Sequence, residues 1–329
     1  MKAAVLTELN APLQVCDVDL TPLQFGQVQV RILAAGICGA QLQEIRGEKG
    51  GPLPHLMGHE GAGIVEAIGP GVSRLKVGDK CVMHWREAAG IKSPFPRYRM
   101  GDREFTSGLV TTWAEQTICS ENRLTPIPHD TDTSLAVLLG CGLSTAMATL
   151  ENEVRRIGER ILVIGCGGLG SSLLSAMHLA SPGHVCVCDV HEGKRSYAES
   201  RANRYVNMAA ETLDGKYDLI LDTAGVPAAM ETALPLLAPS GRYVMIGQPP
   251  PGRPVCINAA RHMFDGEGKT ITATQGGGFK PDQDIPRFLA ISGELRLADL
   301  VTHTFRLAEI NHALDLVRAG EAGRVLIVP

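Results

Sequence analysis

The sequence predicts an α/β protein of two domains, one a doubly wound parallel sheet and the other an irregular, β-rich domain. At 329 residues, the chain is long enough for two domains that each bury a core. From about 142 to 274, aliphatic strand patterns alternate with helical patterns, which is typical of parallel βαβ units. The N-terminal part of the chain holds short β-rich runs between glycine and proline turns instead.

The change in pattern defines the predicted domain boundaries. The β-rich domain is expected over residues 1–141, with strand-like runs such as QVQVRILAAGI and GAGIVEAIG. The doubly wound domain is expected over 142–274, where RILVIG, HVCVCDV, YDLILDT and GRYVMIG have the pattern of strands. Residues 275–329 return to mixed structure and end in a helix and the strand RVLIVP, so we expect them to complete the first domain.

Charge and cysteine content exclude several functional classes. The chain has 31 basic and 35 acidic residues, a formal charge of −4, which gives no broad positive field for nucleic acid or an anionic membrane. Nine cysteines, an odd number with no CxxC pair, argue against a disulfide framework. Glu8 and Asn10 interrupt the N-terminal apolar run too early for a secretory signal. We therefore expect a cytoplasmic protein with a small-molecule partner.

One uncharged stretch, residues 161–180, has the hydropathy of a membrane span. Four glycines between 165 and 170 would break a single continuous helix there. A buried strand, a tight turn and a buried helix explain the same composition, so we predict no membrane segment.

The turn in this stretch carries a dinucleotide-binding fingerprint. Its GxGxxG motif consists of Gly165, Gly167 and Gly170, with Gly168 and Leu169 between the last two, and it links an aliphatic strand to a helix. The first glycine permits the tight turn, the second lets the backbone approach a pyrophosphate, and the third lets helix and strand pack closely. The helix N-terminus then faces the anion.

Asp189 ends the second strand pattern, HVCVCDV, and indicates which coenzyme binds. A carboxylate there accepts hydrogen bonds from both ribose hydroxyls and repels a 2′-phosphate, so it favours NAD over NADP. The alternative is that Asp189 only caps the following helix. Lys194, on the next turn, either reaches the adenine ribose or is a solvated surface lysine.

Three segments carry side chains suited to zinc: GICGA around Cys38, GHE around His59 and LGCG around Cys141. Two thiolates and one imidazole suit this metal and leave a fourth position open. The three residues lie far apart in the chain and form no compact zinc motif. By spacing alone, ordinary buried cysteines and a loop histidine explain the pattern better.

Four motifs together resemble the zinc-containing medium-chain alcohol dehydrogenases. They are GHExxGxVxxxGxxV, a cysteine upstream of its histidine, GCGxST ahead of the dinucleotide fingerprint, and the ending GExxRVLI. The similarity runs from end to end and is greatest to the class III and liver-type branch. It implies a Rossmann coenzyme domain and a GroES-like catalytic domain.

The resemblance also implies roles for residues at the matching positions. Cys38, His59 and Cys141 would hold one catalytic zinc per chain, and Glu60 would lie behind the metal, able to bind it transiently. The zinc would act as a Lewis acid that makes hydride departure from an alcohol to NAD feasible.

Two further positions match coenzyme contacts of the family. Gly247, after the strand YVMIG, would mark the backbone that contacts the nicotinamide amide. Arg324 would pair with the pyrophosphate; the alternative is a surface charge at the start of the last strand.

The sequence departs from the family where the substrate's proton is handled. The serine or threonine that normally bonds the substrate oxygen is Ala40, which can neither donate nor relay a proton. The aspartate that orients the zinc-bound histidine is Gln41, whose carbonyl is expected to accept from the imidazole. The relay histidine is Gln43. The proton must then leave through water, Glu60 or a substrate hydroxyl.

A second departure excludes the family's structural zinc, because residues 82–118 contain no cysteine. Trp85 and Arg86 begin this segment, where the family places a wall of the substrate pocket. An aromatic face beside a guanidinium suits a polyol or sugar-like substrate. The alternative is that the segment's aromatics form a local core in place of the zinc.

The sequence thus predicts a zinc-dependent, NAD-linked dehydrogenase of a secondary alcohol. The expected substrate class is a polyol, sugar or cyclitol derivative, with Ala40 leaving room beside the metal. Two alternatives stay open: a catalytically quiet zinc- and NAD-binding protein, and a zinc-free reductase of the quinone or enoyl type. The resemblance further implies a homodimer, with a tetramer as the alternative, paired near YVMIGQPP and TQGGGFK.

Overall fold

Two units make up the chain in its computed structural model, which describes residues 1–264 and 268–329. Unit 1 comprises Met1–Ser144, Lys280–Gly293 and Val301–Pro329, and unit 2 comprises Thr145–Phe279 and Glu294–Leu300. The domains expected from the sequence, 1–141 with 275–329 and 142–274, remain a prediction.

In the described residues, strands and helices alternate regularly along unit 2 and irregularly along unit 1. The strands are β1 (Lys2–Leu6), β2 (Gln14–Asp17), β3 (Asp19–Leu20), β4 (Gln27–Gly36), β5 (His55–Leu56), β6 (Gly61–Ile68), β7 (Lys80–Met83), β8 (Arg97–Met100), β9 (Arg103–Thr106), β10 (Gln116–Ser120), β11 (Leu124–Ile127), β12 (Arg160–Ile164), β13 (His184–Asp189), β14 (Arg204–Asn207), β15 (Tyr217–Asp222), β16 (Leu237–Met245), β17 (Thr270–Ala273), β18 (Val301–Arg306) and β19 (Arg324–Val328). The α-helices are α1 (Gly39–Ile45), α2 (Thr133–Leu139), α3 (Gly142–Glu153), α4 (Gly168–Ala176), α5 (Arg195–Glu199), α6 (Pro227–Ala233), α7 (Ala259–His262), α8 (Pro281–Ala290) and α9 (Ile310–Arg318).

Unit 1 is the β-rich unit that the sequence predicts. Its largest sheet has the order β11-β7-β6-β4-β19-β18, and β10 also pairs with β4. Strand β4 follows the period of two expected of a half-buried strand. Val28, Val30 and Ile32 point into one apolar core, while Arg31 between them is exposed.

Unit 2 is a six-stranded parallel sheet with the order β14-β13-β12-β15-β16-β17. The chain winds outward from β12 in one direction and from β15 in the other, so the prediction of a doubly wound sheet is confirmed. The strand order reverses between β12 and β15, which is where open α/β sheets bind ligands.

The uncharged stretch 161–180 folds as predicted into a strand, a turn and a helix. Strand β12 ends at Ile164 and helix α4 begins at Gly168. Among the residues that the structure describes, no single helix has the length and apolarity to cross a membrane; the bent pair α2 and α3 has them only when its two helices are taken together.

The segment without structural-zinc cysteines contributes its buried aromatics to the apolar cores of unit 1. Strands β8 and β9 pair so that Tyr98 faces Phe105, with ring centroids 5.9 Å apart. Tyr98 is fully buried, and its hydroxyl donates to the Ile118 carbonyl over 3.1 Å. Trp113 is also buried and donates its indole N–H to the Gly36 carbonyl over 3.0 Å. Tyr98 and Phe105 belong to the same apolar core as Val28 and Val30, and Trp113 belongs to a second core cluster, so the predicted alternative of a separate local core does not hold for these three aromatics.

The buried carboxylate of Glu121 accepts hydrogen bonds from two loops of unit 1. Glu121 is 1% exposed and accepts the backbone N–H groups of Ser73, Arg74 and Ile91, each over 2.8 Å. Burial raises the pKa of Glu121, but the three N–H donors outweigh it and lower the pKa below its usual value. The folded protein therefore prefers the charged carboxylate.

We expect Glu121→Gln to destabilise unit 1 by about 2 kcal/mol, because the new amide nitrogen turns a donor toward backbone N–H donors. Since the folded pKa is lowered, this stabilisation is present at neutral pH and is lost as the pH falls below the unfolded value of about 4.3 toward the folded pKa. The measurement is urea unfolding at pH 7 and pH 4. Glu104→Gln, in an exposed ion pair with Arg97, serves as the control and should change stability by under about 1 kcal/mol. Equal losses in the two variants would contradict this role.

Candidate metal and coenzyme sites

Three loops of unit 1 present the predicted metal ligands. Cys38 follows β4 and is the N-cap residue of α1. His59 lies two residues before the first residue of β6, and Cys141 lies between α2 and α3. Each side chain thus comes from the end of a regular element, whose backbone fixes its position.

The ligand atoms of Cys38, His59 and Cys141 all lie within 4.8 Å of one another. Two sulfurs and one imidazole nitrogen at this separation fit one zinc ion with an open fourth position. His59 Nε2 is buried and has no hydrogen-bond partner among the described residues. Since a buried polar atom is normally paired, the unpartnered nitrogen is available as a ligand, and the residues present fit the metal.

The two cysteines shift each other's pKa in opposite directions. A hydrogen bond from Cys141 lowers the pKa of the Cys38 thiol well below its usual value, against the effect of burial. The same hydrogen bond, together with burial, raises the pKa of Cys141. A thiolate is the form that binds metal, so the lowered pKa of Cys38 favours its role as a ligand.

Glu60 and Arg324 form a buried ion pair beside these ligands. The Arg324 guanidinium donates to Glu60 Oε1, and both side chains are nearly inaccessible to solvent. Burial raises the pKa of Glu60, while Arg324 opposes this shift. Gly36 makes room for the carboxylate, because a Cβ there would lie 2.5 Å from Glu60 Oε1. The alternative of a surface charge at Arg324 is wrong, and its pairing with pyrophosphate stays a prediction.

Gln41 differs from its predicted role. It is fully buried, and its Oε1 accepts the backbone N–H of Cys38 over 2.9 Å, while its Nε2 faces His59 Nδ1. The expectation that its carbonyl accepts from the imidazole is therefore wrong. The reason is local: Gln41 is the third residue of α1 and closes a capping box with Cys38, which uses the carbonyl oxygen.

The predicted pocket residues occupy two parts of unit 1. Ala40 is the second residue of α1 and is partly exposed. The Arg86 guanidinium lies 5.4 Å from the centroid of the Trp85 ring, so these two side chains stack on each other. His84 before them is fully buried, with Nδ1 bonded to the Arg86 carbonyl and Nε2 to Thr125, and burial lowers its pKa to about 3. His84 is thus a neutral structural residue.

The glycines of unit 2 have the geometry that a dinucleotide fingerprint requires. Gly165 has φ +89°, a left-handed conformation that favours glycine. Nothing lies within 4 Å of a Cβ built on Gly167, so its backbone faces open space. A Cβ on Gly170 would lie 1.9 Å from the Gly165 carbonyl oxygen. Gly168 and Leu169 are the first two residues of α4, and the first N–H groups of a helix have no acceptor within the helix, which is the feature that suits a helix N-terminus to an anion. Their contact with the coenzyme stays a prediction.

Asp189 ends β13 and is bonded to two neighbouring loops. Its carboxylate accepts the N–H of Cys166 over 2.7 Å and that of His191 over 3.0 Å. Lys194 is 9% exposed, so the alternative of a solvated surface lysine is wrong. Burial lowers the pKa of Lys194, and the charge of Asp189 opposes this shift.

Gly247 follows β16 at a close approach of two backbone segments. Its N–H donates to the Asp222 carbonyl over 2.9 Å, and a Cβ there would lie 2.4 Å from the Gly225 nitrogen. Only glycine fits this position. The role of its backbone toward the nicotinamide stays a prediction.

Sequence reasoning missed three features of these sites. The ion pair between Glu60 and Arg324 joins residues 264 positions apart, and no local pattern reveals it. The need for glycine at Gly36 follows only from that pair. The capping role of Gln41, by contrast, has a local signal, since glutamine at the third helical residue is typical of a capping box.

Two family descriptions match the chain, one in each half. Residues 24–129 match the alcohol dehydrogenase GroES-like domain, and residues 165–292 match the zinc-binding dehydrogenase family. Alcohol dehydrogenase 6 of Peromyscus maniculatus is 27% identical over 368 aligned positions, which cover 100% of this chain and 97% of that protein. The chain therefore belongs to the zinc-containing medium-chain alcohol dehydrogenases, a family of oxidoreductases that act on CH–OH groups. Its placement in the class III and liver-type branch stays a prediction.

Solved structures share the fold over nearly their whole length. An alcohol dehydrogenase zinc-binding domain protein from Burkholderia ambifaria superposes with a TM-score of 0.89 at 23% identity, covering 100% of this chain and 98% of the other. A zinc-binding dehydrogenase from Sinorhizobium meliloti 1021, bound to NADP, superposes with a TM-score of 0.81 at 20% identity, covering 100% and 99%. At these identities the similarity shows the fold alone.

Proposed function

We propose that this protein is a zinc-dependent, NAD-linked dehydrogenase that oxidises a secondary alcohol by hydride transfer to the nicotinamide. The observation that carries the proposal is the cluster of Cys38, His59 and Cys141, with ligand atoms within 4.8 Å of one another and a buried imidazole nitrogen that has no hydrogen-bond partner among the described residues. Membership of the alcohol dehydrogenase family supports the same reaction.

Within unit 1, the chain's own residues hold and orient the metal. Cys38, His59 and Cys141 would bind one zinc ion, which supplies Lewis acidity toward the substrate oxygen when bound. Arg324 holds the Glu60 carboxylate in place, and Glu60 Oε2 lies 3.4 Å from the Gly142 N–H. Glu60 is thereby kept next to the ligands and is available to bind the metal transiently.

The proton of the alcohol leaves by a route that differs from the usual one. Ala40 has no hydroxyl, and Gln43 is no proton carrier at neutral pH. Water, a hydroxyl of the substrate itself and Glu60 remain as acceptors, and burial raises the pKa of Glu60 while the charge of Arg324 opposes this shift. The second candidate function is a catalytically quiet zinc- and NAD-binding protein. It is favoured by Ala40 and Gln43, since neither side chain can carry the proton of an alcohol.

We assign a polyol, sugar or cyclitol derivative as the substrate class. The stacked Trp85 and Arg86 would offer a flat apolar face and a guanidinium that donates to vicinal hydroxyls. Ala40 is the small residue that leaves room for a branched carbinol carbon. The substrate therefore carries several hydroxyls around its reacting carbon.

The test is a substrate panel with purified, zinc-loaded protein and NAD, followed by NADH absorbance. Polyols, sugars and cyclitols should reduce NAD, and simple aliphatic alcohols should react more slowly. If only aliphatic alcohols react, the substrate class is wrong. If nothing reacts although calorimetry shows tight NAD binding, the quiet protein is favoured, and protein without stoichiometric zinc would favour a zinc-free reductase.

Asp189 supports NAD as the coenzyme. Its carboxylate lies at the end of β13 and is fixed by the Cys166 and His191 N–H groups, so its charge stays beside the fingerprint loop. A 2′-phosphate near this carboxylate would meet like charge.

We expect Asp189→Asn to lower the preference for NAD over NADP about tenfold, which corresponds to about 1.4 kcal/mol, because the neutral amide keeps the shape but removes the repulsion. The measurement is kcat/KM with each coenzyme. Asp214→Asn, which removes an exposed charge paired with Arg204, is the control and should leave the ratio unchanged. A wild type that prefers NADP would overturn the assignment.

We further propose a cytoplasmic homodimer paired through the edge of the parallel sheet. Strand β17 is the end strand of that sheet, and three of its four residues are exposed. Exposed edge strands are ready to pair with another copy. Sedimentation velocity decides between dimer, tetramer and monomer.

A further inference from the structure

The side-chain amide of Gln41 lies between two groups of the metal site. Its Oε1 accepts the backbone N–H of Cys38 over 2.9 Å, and its Nε2 faces Nδ1 of His59. Gln41 is 0% exposed, so water does not replace either partner. Both neighbours are predicted zinc ligands.

The orientation of this amide is fixed by chemistry. A backbone N–H only donates, so the side of Gln41 that faces Cys38 must be the carbonyl oxygen. The NH₂ group is consequently on the imidazole side. The capping box of α1 holds the same arrangement, because the oxygen serves the N-cap residue.

Metal binding changes the hydrogen-bonding role of His59 Nδ1 toward Gln41 from acceptor to donor. A neutral imidazole carries one proton, and the nitrogen that binds a metal must be free of it. Nδ1 faces Gln41, whereas Nε2 is buried and has no hydrogen-bond partner among the described residues, so Nε2 is the nitrogen left to bind a metal. With metal on Nε2, the proton is on Nδ1, and two N–H donors face each other across a buried contact.

The metal-free tautomer has no such conflict. With the proton on Nε2, Nδ1 accepts from the Gln41 amide, and the Nε2–H group points toward the cysteine sulfurs. A carboxylate at position 41 would reverse the balance, because its two oxygens accept from Cys38 N–H and from Nδ1–H together.

We infer that Gln41 is a positioning residue that favours the metal-free tautomer of His59 and thereby weakens zinc binding at the Cys38, His59 and Cys141 site. The inference rests on the proposed function, since it takes these residues as the zinc ligands. It makes the zinc of this protein more readily exchanged than the zinc of a relative with a carboxylate at this position.

The decisive variant is Gln41→Glu, which has the same shape but two acceptors. We expect it to bind zinc about 10- to 100-fold more tightly than the wild type, the usual effect of a hydrogen-bonding partner behind a metal-bound histidine. The measurement is competition with a chromophoric zinc chelator of known affinity. Co²⁺ should gain by a similar factor, because the penalty lies in the histidine and not in the metal.

Gln43→Glu is the matched control, since it adds the same charge to the same helix close by. We expect it to change zinc affinity by less than about threefold. Equal gains in the two variants would show an effect of charge alone and overturn the inference, and so would an unchanged or lower affinity in Gln41→Glu. A wild type that binds no stoichiometric zinc would instead refute the proposed function.

A second measurement needs no variant and guards against poor folding of Gln41→Glu. Nitrogen-15 NMR of metal-free wild-type protein reports which ring nitrogen of His59 carries the proton. We expect the proton on Nε2 with Nδ1 as an acceptor. A proton on Nδ1 would overturn the inference.

Discussion

Cys141→Ser is expected to remove bound zinc and dehydrogenase activity together. Cys141 supplies one of three ligand atoms that lie within 4.8 Å of one another, and a serine hydroxyl is a much weaker ligand for zinc than a thiolate. Without the Lewis acid, the negative charge that develops on the substrate oxygen in the transition state loses several kcal/mol of stabilisation. This corresponds to a fall in kcat of ~10³-fold or more. Zinc content and NADH formation are measured on the same sample.

The matched control for this variant is Cys256→Ser. Cys256 is an exposed, free cysteine outside the cluster, so its loss should leave zinc content and activity near wild type. Removal of zinc by a chelator and its restoration should repeat the effect of Cys141→Ser in the unaltered chain. A Cys141→Ser protein that keeps full activity without zinc would refute the metal-dependent mechanism.

Arg324→Met is expected to destabilise unit 1 by about 3–5 kcal/mol. The change keeps much of the side chain's length but leaves the Glu60 carboxylate buried without its cation, and breaking a buried pair costs about this much. The measurement is urea unfolding at pH 7, with Arg31→Met as the control. Arg31 pairs with Glu66 at the surface, so its loss should cost under about 1 kcal/mol.

The pH dependence of this loss has a definite sign. Burial raises the pKa of Glu60, and removing Arg324 raises it further because the opposing charge is gone. A carboxylate with a raised folded pKa destabilises the fold increasingly as the pH rises above the unfolded value of about 4.3. The deficit of Arg324→Met should therefore be smallest near pH 4 and largest at pH 7.

A double variant separates the ion pair from simple packing. Glu60→Gln together with Arg324→Met removes both charges and should recover part of the lost stability, since replacing a whole buried pair is often close to neutral. Strict additivity of the two single losses would contradict a direct interaction. Arg324→Lys, which keeps the charge, should lose less than Arg324→Met.

The regular parts of the fold follow from local patterns. The alternation of strand and helix patterns predicts the parallel sheet of unit 2. Short aliphatic runs such as the one in Arg160–Ile164 are typical of strands that a parallel sheet buries on both faces. The GxGxxG motif likewise predicts its own turn, since Gly165 and Gly170 are required by backbone geometry within one loop. Unit 1 is less predictable, because β4 pairs with β6, β10 and β19 from distant parts of the chain.

For the metal site, the sequence indicates which residues can bind zinc, and the tertiary structure brings them together. The types of Cys38, His59 and Cys141 suit zinc, but their wide separation along the chain carries no local signal, and the resemblance to a family was needed to select them. The tertiary structure brings their ligand atoms to within 4.8 Å of one another. It also turns the Gln41 carbonyl to Cys38, where the sequence alone suggests the imidazole.

The sequence by itself determined the α/β class, the dinucleotide loop and the set of candidate zinc ligands, because each depends on residue type, short-range spacing or motifs that resemble a family. Only the tertiary structure decided the buried pair of Glu60 with Arg324, the space left by Gly36 and the donor that faces His59. These features depend on contacts between residues far apart in the chain, or on which of two atoms of one amide meets a fixed backbone donor. Hydrophobic periodicity and motif spacing contain neither kind of information.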